Sequence, residues 1–208
     1  MFSMTIVFII ITSVVSVLAF NNEQLFSKLQ FNPYQVYHRK EYYRLLSHGF
    51  IHADWVHLFV NMFVLYSFGT AVESYFSQLE AIGLMRYGKA WYTFMYLAAI
   101  VFSSLTTLKK HKDDVFYNAV GASGAVSAIL FCSIFFNPWA KLGLYLVIPV
   151  PAVIFGAGYL IYSQYMSKRN MDNINHDAHF IGAVFGFLFP LLIKIDFINI
   201  FINQLLGR

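Results

Sequence analysis

The chain has 208 residues and a formal net charge of +4; 59% of it is hydrophobic and 12% charged, against about 45–50% apolar and about 25% charged in ordinary soluble domains. A soluble fold of this size has too little interior for so much apolar surface, so the composition excludes an ordinary water-soluble domain. The basic residues are scattered through short loops instead of lining one face, which makes lipid headgroups their partner and argues against nucleic acid.

Uncharged stretches run from Met1 to Asn22, Trp55 to Val72, Ala90 to Leu108, Val115 to Ala140, Leu142 to Ser167 and Ala178 to Ile193. Each approaches the roughly 17–25 residues that a membrane helix needs. The reading is an all-α membrane protein, one domain over residues 1–208, with six spans at about 1–22, 55–76, 90–108, 120–137, 142–165 and 176–194. The first stretch lacks a basic leader and a small-x-small cleavage site, so it reads as a span and not as a cleaved signal. Between the first two spans, Asn21 to Asp54 is long for a helix connection and carries Asn32-Pro33 and several tyrosines, which marks it as a functional or interfacial element. Pro149, Pro151, Gly156 and Gly158 are breakers in the fifth span, where they make a mobile gate or a kink. After the sixth span, Phe197, Ile200, Phe201 and Leu205 recur with helical period, so residues 196–208 are expected to form an amphipathic helix on the membrane. A cytoplasmic amino terminus places five basic residues inside and nine of the fourteen outside; the positive-inside rule favours the opposite topology.

Three polar features interrupt the apolar spans, and polar groups inside a bilayer are costly enough to suggest function. His57 and Asn61 lie four residues apart, on one face of the second span. Gly121-Ala122-Ser123-Gly124 opens the fourth, and His179 is followed by Gly182 and Gly186 in the sixth. At about 1.5 Å per residue, Ser123, His179, His57 and Asn61 lie about 21, 22, 24 and 18 Å from the far ends of their spans. The second, fourth and sixth helices of a six-span chain run in the same direction, so the four side chains share one layer beneath one membrane face.

A serine hydroxyl attacks only when a base within hydrogen-bond reach takes its proton, and an imidazole suits that task. Ser123 and His179 form such a pair. Gly121 and Gly124 allow close backbone approach, and a helix start offers unpaired N–H groups for an oxyanion, to which His57 and Asn61 can add side-chain donors. No aspartate is expected at this depth, so a dyad is expected in place of a triad. Ser127, one turn after Ser123, faces the same side and is placed to touch His179, with apolar packing expected to orient the imidazole. His48, His52 and His57 lack the spacing and the completing ligands of a zinc site, so no metal is expected. His52 reads equally as a supporting partner or as an interfacial residue, and His176 as a solvated loop residue. Cys132, the single cysteine, sits among Ile129, Leu130 and Ile134 and reads as packing.

Taken in order, His52-Ala53-Asp54-Trp55-Val56-His57-Leu58-Phe59-Val60-Asn61, Gly121-Ala122-Ser123-Gly124, and Ala178-His179-Phe180-Ile181-Gly182 with Gly186 resemble the three signature blocks of the rhomboid proteases. The resemblance implies a six-transmembrane-helix bundle and cleavage of transmembrane protein substrates without a cofactor, through a water-filled cavity. It matches Ser123 to the nucleophile, His179 to the base, and His57 and Asn61 to the oxyanion partners. It also implies the cytoplasmic amino terminus, and a cell-membrane location for a bacterial protein. Arg44 resembles the arginine of the family's tryptophan-arginine pair, with Tyr43 in place of the tryptophan, and Glu73 the acidic residue that closes the second helix. The family often carries a tyrosine four residues after the nucleophile, under the catalytic histidine, where this chain has Ser127. Two other functions compete. One is a non-cleaving binding protein on the same fold, against which the presence of both Ser123 and His179 argues. The other is a small transporter, which would more typically show half-helices or repeated halves.

Overall fold

The computed structural model describes residues 2–144, 148–169 and 174–208. In chain order they form α1 (Met4–Phe20), α2 (Glu23–Leu29), α3 (Pro33–Arg39), α4 (Arg44–Ser47), a 3-10 turn (His48–Phe50), α5 (Trp55–Ala81), α6 (Gly88–His111) and α7 (Ser123–Phe136). A hairpin of β1 (Lys141–Leu144) and β2 (Ile148–Pro151) follows, then α8 (Ala152–Arg169), α9 (His176–Ile193) and α10 (Phe197–Leu205).

Helix α7 is the axis of the bundle. It is apolar on every side, which suits a helix with no exposed face, and Gly124 through Phe136 are all buried. Its neighbours are α5, α6 and α9. The register with α9 is set by backbone: a Cβ on Gly182 would overlap the carbonyl of Gly124, and one on Gly186 that of Ala128. Successive contacts at 124 with 182 and 128 with 186 mean that α7 and α9 run parallel. The same holds for α5, whose His57 lies over Gly121 while Tyr75 and Phe76, farther along, pack on Phe136 with centroids 5.4 and 6.0 Å apart.

Three helices, Trp55–Ala81, Gly88–His111 and His176–Ile193, are long and apolar enough to cross a membrane; Met4–Phe20 and Ser123–Phe136 are shorter apolar helices. The outer faces carry exposed apolar side chains, among them Ile10 and Leu18 on α1 and Phe59 and Phe63 on α5, as a lipid-facing surface requires. The fold is an all-α membrane bundle.

Two expectations are corrected here. The uncharged stretch from Leu142 is not helical at its start: Leu142 pairs with Val150 and Gly143 with Pro149 in the hairpin, and α8 begins only at Ala152. Pro149 and Pro151 remove backbone donors and disfavour helical φ/ψ at the residues before them. Residues 145–147 of the expected fifth span lie outside the described residues. Glu73 does not close the second long helix, which continues to Ala81; its carboxylate instead caps α1, accepting from the Ser3 hydroxyl and from the Met4 and Thr5 amides at 2.6 and 3.0 Å. An acid at a helix amino terminus satisfies orphan N–H groups and the helix dipole together. The tail helix α10 turns part of its apolar face to protein: Phe197 is buried, and Phe201 stacks on Phe135 at 5.4 Å. Ile202 and Leu206 remain exposed.

Candidate active site

The turn before α7 is held from two sides. Phe31 and Ala119 exchange both backbone hydrogen bonds at 2.9 Å, and the Gly121 amide donates to the His48 carbonyl at 2.9 Å. The Ala122 amide donates to His52 Nε2 at 3.5 Å. That contact assigns the single ring proton of neutral His52 to Nδ1, which lies 3.0 Å from the Ser16 hydroxyl; Ser16 in turn donates to the Phe50 carbonyl at 3.1 Å. His52 is therefore a neutral, buried link between α1 and the residue before Ser123, a supporting partner of the site and not an interfacial one. Desolvation pushes its pKa down to about 3, helped by His57 and opposed by Asp54. His48 is likewise buried, binds the Arg44 carbonyl through Nδ1 at 2.8 Å, and is pushed down to about 4 by desolvation.

The loop that supplies these contacts is tied by Arg44. Its guanidinium is buried, donates to the Ser27 and Gln30 carbonyls at 2.8 Å each, and pairs with Glu41 at 2.6 Å. The Arg44 hydrogen bond holds the Glu41 carboxyl below its ordinary value. Tyr43 lies under the guanidinium, 5.4 Å from ring centroid to Cζ, so the substitution of tyrosine for tryptophan keeps a ring against the arginine.

Gly121 sits at φ +113°, a conformation open to glycine, and a Cβ there would stand 2.6 Å from His57 Cε1 and 2.8 Å from its Nε2. His57 thus covers the backbone just before Ser123. The Ala53 amide approaches its Nδ1 at 3.5 Å, which leaves Nε2 as the protonated nitrogen facing Gly121. Asn61 is buried one turn along, and its side-chain amide donates to the His57 carbonyl at 2.9 Å. Ser123 and Gly124 occupy the first turn of α7, where backbone N–H groups have no carbonyl four residues back within the helix.

On the other side of the seam, Gly124 fits against Ser103 of α6 and lies near the Ala178 carbonyl, 3.3 Å from where its Cβ would be. Gly124 is therefore wedged between Ala178 and Gly182, and its neighbour Ser123 is brought to the turn that carries His179. Ser123 and His179 are both half-buried. Asn175 caps α9 by accepting from the Ala178 amide at 3.1 Å and binds Thr107 of α6 at 2.9 Å. The carboxylate of Asp177 is committed to Lys110 and Ser167. His176 is buried and its ring meets that of His179 edge-on at 5.9 Å, so it is no solvated loop residue.

Ser127 departs from expectation. Its hydroxyl bonds the Tyr159 hydroxyl of α8 at 2.6 Å, and the Tyr159 ring lies nearly parallel to the His179 ring, at 15° with centroids 6.3 Å apart. Tyr159 was not legible as a site residue. The available signal was the missing ring at position 127 together with tyrosines at 159 and 162, on one face of α8.

The molecule so described is a polytopic helical membrane protein with a polar site at the amino-terminal ends of three parallel helices. The Rhomboid domain family model matches residues 39–195, and the chain belongs to the rhomboid family. It is 32% identical over 143 residues to RHOMBOID-like protein 12, mitochondrial, of Arabidopsis thaliana, covering 67% of this chain and 43% of that protein. Rhomboid-like protein 11, chloroplastic, of the same plant is 27% identical, with 74% and 53% covered. Rhomboid protein 1, mitochondrial, of Saccharomyces cerevisiae is also 27% identical, with 70% and 40% covered. The chain thus spans about half or less of the length of these relatives. It is an integral membrane protein; the relatives' names are organellar and lend nothing to a cell-membrane location.

Proposed function

We propose that this chain is an intramembrane serine endopeptidase that cleaves transmembrane protein substrates, with Ser123 as nucleophile and His179 as base. The observation that supports the reading is the α7–α9 seam, where Gly182 and Gly186 rest on the α7 backbone and Ala178 lies beside Gly124, at the level of the turns that carry Ser123 and His179. His179 takes the hydroxyl proton as Ser123 Oγ attacks the scissile carbonyl. The oxyanion falls between the first-turn amides of α7, the His57 Nε2–H and the Asn61 amide. His179 then passes the proton to the leaving amine, and a water activated by the same imidazole releases the acyl group. The dyad needs no cofactor.

A fluorophosphonate probe tests this reading. Covalent labelling mapped to Ser123, and lost in His179→Ala, is the expected result; a folded protein that stays unlabelled belongs with non-cleaving binding proteins of the same fold.

A further inference from the structure

We infer that Tyr159 is a positioning residue for the histidine base: the ring that the family often carries on the nucleophile's own helix is supplied here from α8 and fastened by Ser127. The inference rests on the dyad reading above.

Four contacts define the arrangement. The Tyr159 ring is nearly coplanar in orientation with His179, at 15°, and offset parallel rings at this separation are a favoured aromatic geometry. Its hydroxyl is held by Ser127 at 2.6 Å. Phe131, one turn beyond Ser127 on α7, packs on it at 5.6 Å, and Phe155, one turn back on α8, stacks on it at 6.1 Å. The ring is thereby fixed in tilt by three neighbours, and its remaining face is left for the imidazole. The pattern repeats one turn away, where Tyr162 meets His176 edge-on at 5.6 Å.

Ser127 explains the exchange. A tyrosine at 127 and one at 159 would compete for the same space beneath His179, whereas a serine is short enough to admit the α8 ring and polar enough to satisfy its hydroxyl. A flat apolar face against the imidazole restricts its rotation, and misplacement of a catalytic group by about 1 Å can cost about a hundredfold in rate.

The test measures the rate of Ser123 labelling by a fluorophosphonate probe on the full chain in detergent, alongside its thermal midpoint. Tyr159→Ala should label at least about tenfold more slowly than the native protein, and Tyr159→Phe within about threefold of it. Tyr159→Leu, which keeps apolar bulk without a ring and so guards against simple collapse of the site, should resemble the alanine variant. Ser127→Tyr placed in the Tyr159→Ala background should recover most of the rate, a rescue that a merely structural role would not give. Labelling of Tyr159→Ala at the native rate, or of Tyr159→Leu as fast as Tyr159→Phe, would overturn the proposal. Failure of the native chain itself to label at Ser123 would instead remove the dyad reading, so the two failures are distinct.

Discussion

The α7–α9 seam and helix α8 meet the same histidine in opposite ways. At the seam, backbone touches backbone through two glycines, the core helix is buried throughout, and nothing can shift without moving a whole helix. Helix α8 packs chiefly on α9 and follows a proline-bearing hairpin. Only Ala152, Gly156 and Ser163 are buried along it, and Gly158 faces open space. The contrast teaches that the serine and histidine are registered by a rigid contact, while the ring that steadies the histidine rides on a peripheral helix.

The largest effect should come from breaking the seam. Gly186→Ala should destabilise the protein by about 1–3 kcal/mol or more, because its new methyl meets an α7 carbonyl that cannot yield. Gly158→Ala, on the loose helix, should be neutral or gain up to about 1 kcal/mol from helix propensity. Thermal midpoints of the two variants in detergent decide the matter, and equal midpoints would erase the distinction between the two regions.

A crosslink pinning α8 to α5 sharpens the comparison functionally. It should slow cleavage of a transmembrane substrate more than hydrolysis of a short soluble one, since only the former must enter sideways past the breaker-rich segment. Equal slowing of both substrates would argue that α8 is no gate.

A smaller effect concerns the fixed side of the site. His52 is held neutral with a pKa of about 3 against an ordinary value of 6.5. The unfolded chain therefore binds a proton below about pH 6.5 that the folded chain refuses. Stability contributed by this group is complete above that pH and is lost as pH falls toward 3. His52→Gln keeps an acceptor for the Ala122 amide and removes the titration. The native midpoint should fall faster than the variant's between pH 6.5 and 4.5, and parallel curves would show that His52 does not drive the loss.

Much of this was legible in the sequence, and the failures have physical causes. The motif blocks at 52–61, 121–124 and 178–186 are local, and their glycines and polar residues stand out against apolar surroundings. Hydropathy alone could not separate the hairpin from α8, because both lie in one uncharged stretch and only Pro149 and Pro151 marked the break. Glu73 lies inside its helix because a single charge does not stop a helix. The true stop is at Ile82 and Gly83, the latter with φ +75°. The reach from Ser127 to Tyr159 crosses 32 residues and two helices, and no periodicity within either helix encodes it.

The central claim is that Ser123 and His179 act as one unit, and cleavage of a transmembrane substrate by Ser123→Ala, His179→Ala and the double variant tests it most directly. Each single variant should abolish cleavage while remaining folded and extractable, and the double variant should be no worse than either, because members of one catalytic unit fail together. Cleavage retained by either folded single variant would contradict the dyad.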